Sequence, residues 1–585
     1  MTETANNTCK LASITKPWMK YYPEELKDIE LPQCTMYEQI RRSCDKNKRI
    51  DAPALFYYGT EITYGEMFRR IEQYAAAFAS LGIQKGEMVT IVSAPLPETM
   101  CELYALNKIG AVCNFIDPRT DGPHTREFTK KAKSRVVLTL EMCWKHFEGH
   151  LEELGLDYVI CQNPYASLPF IKRLVMTIKN EKYKVPYDGQ KILTDKQLFA
   201  RGEGKTVPDV AYEPDMPAVI TRTGGTTGVS KGVVLTNDNM NCLAANFFVT
   251  ISVTVPNQSF LNFLPIASSY GICIGVHVAM TMGVKDILIP RFDPEKFDDL
   301  ILEFKPKHMI SVPVFYEKLM YSEKLKGVDL SFIDTMTAGG DSASESFEDK
   351  LDEFRLEHNI HFPIAQGYGM SEVSSSAAFG FRELHRKGSV GVPAYFVTVS
   401  IFEPGTTNEL PIGEVGEICI SGPTVMKEYL DEPEETANIL HKHPDGKIWV
   451  HSGDLGRMDE DGFLYIVGRI KRSIIRFDAH KVYPLQIENV VMNHPKVSNC
   501  AVIAIKDREH VQGELPLVIA EIGVRDFDKK AVAAEIMQLC SEQLEGRGQP
   551  IGVTFIDRIP TTDMAKNDVR KLAEQYKDFD YRTML

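Results

Sequence analysis

Between Tyr64 and Ile116 two apolar periods alternate, and this alternation restricts the fold more than any other feature of the chain. Met67, Ile71, Tyr74, Ala75, Phe78 and Leu81 recur at helical spacing until Gly82 ends the run. Val89-Thr90-Ile91-Val92 then reads as a buried strand, Glu98 to Ile109 as a second helix, and Val112-Cys113-Asn114-Phe115-Ile116 as another strand. Such a β-α-β rhythm implies a mainly parallel sheet covered on both faces. The unit recurs, with strands expected near Asp286 to Pro290 and Met309 to Val312 on either side of a helix at Pro294 to Phe304. From about Glu403 the pattern changes to short strands such as Gly416 to Ile420 and Gly462 to Ile466, flanked by Gly, Pro and Asp. After Arg469 a helix near Pro484 to Met492, strands at Ala501 to Ile505 and Leu517 to Ile522, and a helix from Asp528 to Leu544 suggest a separate α+β unit. A chain of 585 residues is too long for one core. No internal repeat or low-complexity tract interrupts it.

Charge and cysteine usage narrow the function classes. A formal charge of −14 argues against a broad nucleic-acid surface, which needs clustered Lys and Arg, and says little about a buried site for a small anion. The 12 cysteines include no C-x-x-C pair and no Cys/His cluster at zinc spacing, which fits buried thiols in a reducing cytoplasm. The N-terminus lacks a basic segment followed by an apolar run, and no stretch reaches the length of a membrane span, so the expectation is a cytoplasmic protein without a transmembrane segment. Peripheral membrane contact stays open at Pro169 to Lys179, which alternates basic and apolar residues and continues to Lys182 and Lys184. That segment reads either as a solvated amphipathic helix or as one that rests on a bilayer or lines an acyl entrance.

The stretch TRTGGTTGVSKGVVLTN, from Thr221, sets Gly224, Gly225, Gly228 and Gly232 among Thr223, Thr226, Thr227, Ser230 and Lys231. Backbone N–H groups approach an anion closely only where no Cβ intervenes, so the loop suits a phosphate. It fails the spacing G-x-x-x-x-G-K-[ST], because Ser230 precedes Lys231 and Gly232 follows it. Its flanks, Ala218 to Thr221 and Gly232 to Thr236, are β-branched runs, so the loop joins two strands instead of opening a helix. On its own it reads equally as a phosphate grip or a hairpin turn.

Four further stretches follow in order. QGYGMSE, from Gln366, combines a ring, glycines, a hydroxyl and a carboxylate: Tyr368 suits adenine stacking, Ser371 a phosphate, and Glu372 Mg²⁺. HSGD, from His451, places the Asp454 carboxylate where it suits the two hydroxyls of a ribose, and GRIKR, from Gly468, supplies the Arg469 donor fork. Lys566 lies in PTTDMAK near the C-terminus. Taken singly these are turns, surface ion pairs and an exposed lysine.

Taken together, in this order from about Thr63 to about Leu572, they resemble the adenylate-forming superfamily, which includes acyl- and aryl-CoA synthetases. TGGTTGVSKG is similar to that family's TSGTTGxPKG loop, QGYGMSE to its YGxTE segment, HSGDLG to its TGD segment, and GRIKR to its hinge. The resemblance implies an α/β fold: a large N-terminal domain over residues 1–470, of two α/β subdomains plus a β unit, and a small mobile α+β C-terminal domain over 471–585. It implies that a carboxylate attacks the α-phosphorus of ATP to give an acyl adenylate and pyrophosphate, after which a thiol, commonly that of coenzyme A, displaces AMP. By the same resemblance Thr223, Gly224, Gly225, Thr226, Thr227, Gly228 and Lys231 cradle the departing phosphates. Gly339, Gly340, Asp341 and Tyr368 line the adenine, Gly367 and Gly369 belong to the same nucleotide site, Ser371 meets the α-phosphate, and Asp454 and Arg469 hold the ribose. Lys471 is the hinge, Lys566, Thr226 and Glu372 are catalytic, and Glu372 binds Mg²⁺. The acyl pocket is expected at Ser268, Tyr270 and Gly271, within segments spanning Phe263 to Gly275 and Ala338 to Gly369. The acid is expected to be fatty or otherwise apolar.

Departures from the family pattern qualify this. Gly224 replaces a commoner serine and Ser230 a commoner proline, which loosens the loop. Ser268 stands where a histidine or aromatic is frequent. Ala479 and Ala565 stand where glycine is usual; at φ > 0 each Cβ carries a steric cost of roughly 1–2 kcal/mol. Two other readings remain: a ligase that loads the phosphopantetheine of an acyl carrier protein, and a nucleotide-binding regulatory protein that has lost catalysis.

Overall fold

The computed structural model describes residues 10–24, 29–179, 183–223, 230–250, 258–341, 343–510, 512–524, 526–561 and 566–583. The chain forms a large N-terminal α/β domain and a small C-terminal domain. The helix Tyr64–Ser80 starts where the Thr63 side chain accepts from Glu66 N–H, and it buries Tyr64, Met67, Phe68, Ile71, Tyr74 and Phe78. The strands Met88–Val92 and Val112–Ile116 pair in parallel, Val89 opposite Cys113, and the connecting helix Pro97–Lys108 is buried along its whole length.

These strands lie inside an eight-stranded sheet that runs from Glu428–Tyr429 through Gly232–Thr236, Pro217–Arg222, Val112–Ile116, Met88–Val92, Val136–Leu140 and Tyr158–Gln162 to Ile192–Leu193. A nine-stranded sheet carries His308–Ser311, Thr335–Gly339 and Ala365–Tyr368 side by side in parallel. Its far edge is the hairpin Pro53–Tyr57 and Thr60–Thr63, so the chain visits the second sheet before it builds the first. The sequence rhythm gave no sign of that crossover.

A five-stranded antiparallel unit holds Thr398–Phe402, Gly416–Ser421, Leu440–Lys442, Ile448–Met458 and Leu464–Arg469. The last strand begins two residues after the expected Gly462, because Gly462 takes φ +92° and closes a turn onto the Asp459 carbonyl. Past it a 3₁₀ turn, Ile470–Arg472, leads to the three strands Val497–Lys506, Glu514–Ile522 and Gly552–Ile556. The helices Pro484–Val491 and Lys529–Gln543 cover one face of that sheet through Ile487, Val491, Val532 and Ile536. Leu572, from Val569–Gln575, covers the other. The 11 cysteines among the described residues are buried free thiols. No helix among the described residues is long and apolar enough to cross a membrane.

Candidate active site

The parallel strands of the nine-stranded sheet end together at Ser311, Gly339 and Tyr368, and a cleft of about 2330 Å³ opens at these ends. Its wall includes Thr223 and Lys231, Ser268 and Tyr270, Gly339, Gly340 and Asp341, Gly367, Tyr368 and Gly369, Ser371 and Glu372, Asp454, Arg469, Lys471 and Lys566. Segments up to 343 residues apart in sequence, from Thr223 to Lys566, thus face one space. Gly224, Gly225, Thr226, Thr227, Gly228 and Ala565 lie outside the described residues.

The neck of the glycine-rich loop is an antiparallel pair, Arg222 opposite Gly232. Thr223 N–H donates to the Lys231 carbonyl at 3.0 Å, Lys231 N–H donates to Thr223 Oγ1 at 3.0 Å, and Ser230 Oγ donates to the Thr223 carbonyl at 2.7 Å. Lys231 Nζ pairs with the Glu435 carboxylate and lies 4.9 Å from the Tyr429 ring centroid. The Tyr429 hydroxyl donates to Glu372 Oε1 at 2.5 Å. Burial pushes the Glu372 carboxyl up, while the Tyr429 hydrogen bond, Arg469 and Lys231 pull it back.

Tyr368 donates its hydroxyl to Asp454 Oδ2 at 2.8 Å, and Arg469 Nε lies 2.7 Å from Asp454 Oδ1. Both carboxylate oxygens of Asp454 are therefore engaged. Burial raises its pKa against the opposing charge of Arg469 and the Tyr368 hydrogen bond. Gly369 is required by close approach, since a Cβ there would stand 1.8 Å from the Ser375 carbonyl. The Ser371 and Ser269 hydroxyls are 3.0 Å apart. Lys566 reaches the same space: burial lowers its pKa, Asp341 raises it, Arg469 lowers it again and Asp454 raises it.

One expectation needs correction. Gly271 is absent from the cleft wall, because it packs onto the Pro265 carbonyl, which would stand 2.1 Å from an added Cβ. Phe263 is a core residue, stacked on Phe292 at 4.2 Å between ring centroids. Ser268 does line the cleft, but its Oγ donates to the Pro265 carbonyl at 2.7 Å and accepts from Gly271 N–H at 3.0 Å. Its hydroxyl thus ties the Pro265 carbonyl to Gly271 at the start of the π-helical stretch Tyr270–Val278.

Several residues of the cleft wall carried no clear sequence signal. The Arg222 guanidinium is buried 4.2 Å over the Phe128 ring and donates to Asn114 Oδ1; burial pulls its pKa down to about 10. The only hint was a cation ending a β-branched run. Glu417 fixes the turn that presents Asp454: Oε1 accepts from Gly453 N–H at 3.0 Å, and Oε2 lies 3.0 Å from His451 Nδ1. His451 Nε2 in turn lies 2.9 Å from His443 Nε2. Glu417, Cys419 and His451 form the one group among the described residues with metal-ligand atoms within 4.8 Å of one another. Both ring nitrogens of His451 are already engaged, so the group reads as a hydrogen-bonded chain.

Known proteins resemble this chain in sequence and fold. The AMP-binding enzyme family matches residues 40–430, and the AMP-binding enzyme C-terminal domain matches 486–566. A long-chain-fatty-acid–CoA ligase of Bacillus subtilis (strain 168) is 28% identical over 573 residues, 96% of this chain and 98% of the relative. A feruloyl-CoA synthase of an Amycolatopsis species is 27% identical over 522 residues, 88% of this chain and 94% of the relative. ATP-bound MatB from Rhodopseudomonas palustris shares the fold, with a TM-score of 0.78, 24% identity, and coverage of 93% of this chain and 99% of that one.

Proposed function

The chain belongs to the AMP-binding enzyme family and is an acid–thiol ligase acting through an acyl adenylate; from that premise we propose how its residues divide the work and which class of acid it takes. The observation that carries the assignment is the presence of Lys566 in the cleft that also holds Thr223, Ser371 and Asp454. In the first step a carboxylate oxygen of the acid bonds to the α-phosphorus of ATP and the bond to pyrophosphate breaks. Little covalent help is needed, so positioning and charge neutralisation dominate. The Lys566 ammonium bridges the incoming carboxylate and the α-phosphate, and Ser371 donates to the latter. The loop from Thr223 to Lys231, with Thr226 by resemblance, grips the leaving phosphates. Asp454 and Arg469 hold the ribose, and Gly339, Gly340, Asp341 and Tyr368 bound the adenine.

Glu372 fits Mg²⁺: it is a hard oxygen donor in the cleft wall beside Lys231 and Tyr429, and this ion takes one or two carboxylates plus substrate phosphates. Bound there, Mg²⁺ neutralises phosphate charge. In the second step the thiol sulfur bonds to the acyl carbon and AMP leaves; we assign the thiol to coenzyme A, with an acyl carrier protein as the competing acceptor. The boundary near residue 470 and a hinge at Lys471 would let the C-terminal domain serve both steps.

We assign the acid to the fatty or otherwise apolar class. The cleft continues past Phe247, Ile274, Ile310 and Phe379, with the Phe247 and Phe379 rings stacked at 5.0 Å. The long-chain and feruloyl relatives support an apolar acid and leave its shape open. Acid-dependent exchange of labelled pyrophosphate into ATP, run over a panel of carboxylic acids, identifies it. Lys566→Ala is expected to lose most of that exchange yet convert a supplied acyl adenylate and coenzyme A to thioester. Equal loss in both assays would remove Lys566 from the first step, and turnover only with a carrier protein would replace coenzyme A.

A further inference from the structure

Among the described side chains of the helix Phe170–Lys179 only Met176 is partly buried, and Phe170 to Val175 are all exposed. Phe170 is 70% exposed, Ile171 76%, Leu174 53% and Val175 44%. Lys172 Nζ donates to the Tyr58 carbonyl at 3.0 Å and Arg173 Nη1 to the Ala166 carbonyl at 3.3 Å, and both side chains stay exposed at the edges of the apolar face. Met176 packs against the main core. At 100° per residue the four exposed apolar positions span an arc of about 140°, with Lys172 beyond one edge and Arg173 beyond the other. No other helix among the described residues exposes four large apolar side chains. Grouped exposed apolar surface of this kind marks an interaction site.

Charge decides between occupants. The chain carries −14, yet residues 170–184 hold five basic residues, Lys172, Arg173, Lys179, Lys182 and Lys184, against the single acid Glu181. A second copy docked through the same helix would set basic residues against basic residues, whereas an anionic lipid surface matches both the basic flanks and the apolar arc. Two aromatic residues with polar tips also reach solvent nearby in the fold or chain, Tyr58 at 42% and Tyr183 at 36% exposed, the kind of side chain favoured at a membrane interface. Ten residues of helix span about 15 Å, too short to cross a bilayer and suited to lying in the headgroup plane.

We propose that the helix Phe170–Lys179 is a membrane-surface anchor that seats Phe170, Ile171, Leu174 and Val175 in an anionic bilayer, with Lys172 and Arg173 at the headgroups. Binding is reversible and weakens with salt, since one short helix and a basic flank supply it. The inference does not depend on which acid the enzyme takes.

Co-flotation of the full-length protein with phosphatidylcholine vesicles, with and without phosphatidylglycerol, tests it. The protein is expected to float with the phosphatidylglycerol vesicles and to be released by salt. Phe170→Glu/Leu174→Glu should weaken binding by about tenfold or more at an unchanged melting temperature. Lys172→Gln/Arg173→Gln should narrow the difference between the two vesicle types. Failure of the wild-type protein to float, or equal flotation of the Glu variant, overturns the anchor. Dimerisation of the wild-type protein, abolished in the Glu variant without any vesicle binding, would assign the face to a second copy instead.

Discussion

At the residue scale the departures from the family pattern have unequal consequences. Ala479 takes φ +63°, in the region that disfavours a Cβ, at the turn where Arg476 N–H donates to the His480 carbonyl at 2.9 Å. Ala479→Gly is therefore expected to stabilise the protein by about 1 kcal/mol in urea unfolding, the cost of holding an L-residue there. It should also speed thioester formation relative to adenylation, because the family swings this loop toward the thiol path. Unchanged stability and unchanged half-reactions would show that the strain is absorbed elsewhere. The substitution was legible in the sequence; its backbone angle was not, because φ at this turn follows from the pairing of Ile474–Ile475 with Lys481–Val482. Arg222 and Glu417 show the reverse case: common residue types without a motif, given meaning by the groups packed around them.

At the element scale, long periodic helices and β-branched strands were readable because apolar period reports local geometry directly. Helix environment was not. The helix Asp195–Gly202 has an ordinary capping box at Thr194 and Gln197, yet burial, with Glu98 and Glu141 nearby, pushes the Asp195 carboxyl up to about 7. Folding thus favours the protonated acid. Its stabilisation is complete below the ordinary carboxyl value of 3.8 and is lost as pH rises through about 7. Burial likewise raises Glu98 and Glu102 on the helix Pro97–Lys108. The melting temperature is expected to fall between pH 5 and pH 8 by a margin that Asp195→Asn reduces; equal pH profiles for the two proteins would place the loss elsewhere. The segment from Pro169 is a related case. Its amphipathic period was plain in the sequence, but that Met176 meets the core while Phe170, Ile171, Leu174 and Val175 stay exposed was not.

At the scale of the whole molecule, charged groups of the cleft wall hold one another. Lys231 pairs with Glu435, Asp454 with Arg469, and the charge of Lys471, the expected hinge, also reaches Glu435. With Lys231 gripping the departing phosphates as proposed, ATP would compete with Glu435 for it. Glu435→Gln is expected to lower KM for ATP by up to about fivefold with little change in kcat, the equivalent of a surface ion pair near 1 kcal/mol. A raised KM would instead make Glu435 part of the binding site. The sequence by itself determined the family, the two-step chemistry and the order of the motifs, because local patterns and backbone-demanding residues such as Gly369 leave a linear record. Only the tertiary structure decided which residues share the cleft, that Gly271 packs while Ser268 lines it, and which side of the helix at Phe170 meets solvent. Burial, pairing and access are properties of neighbours brought from distant parts of the chain, and no local period encodes them.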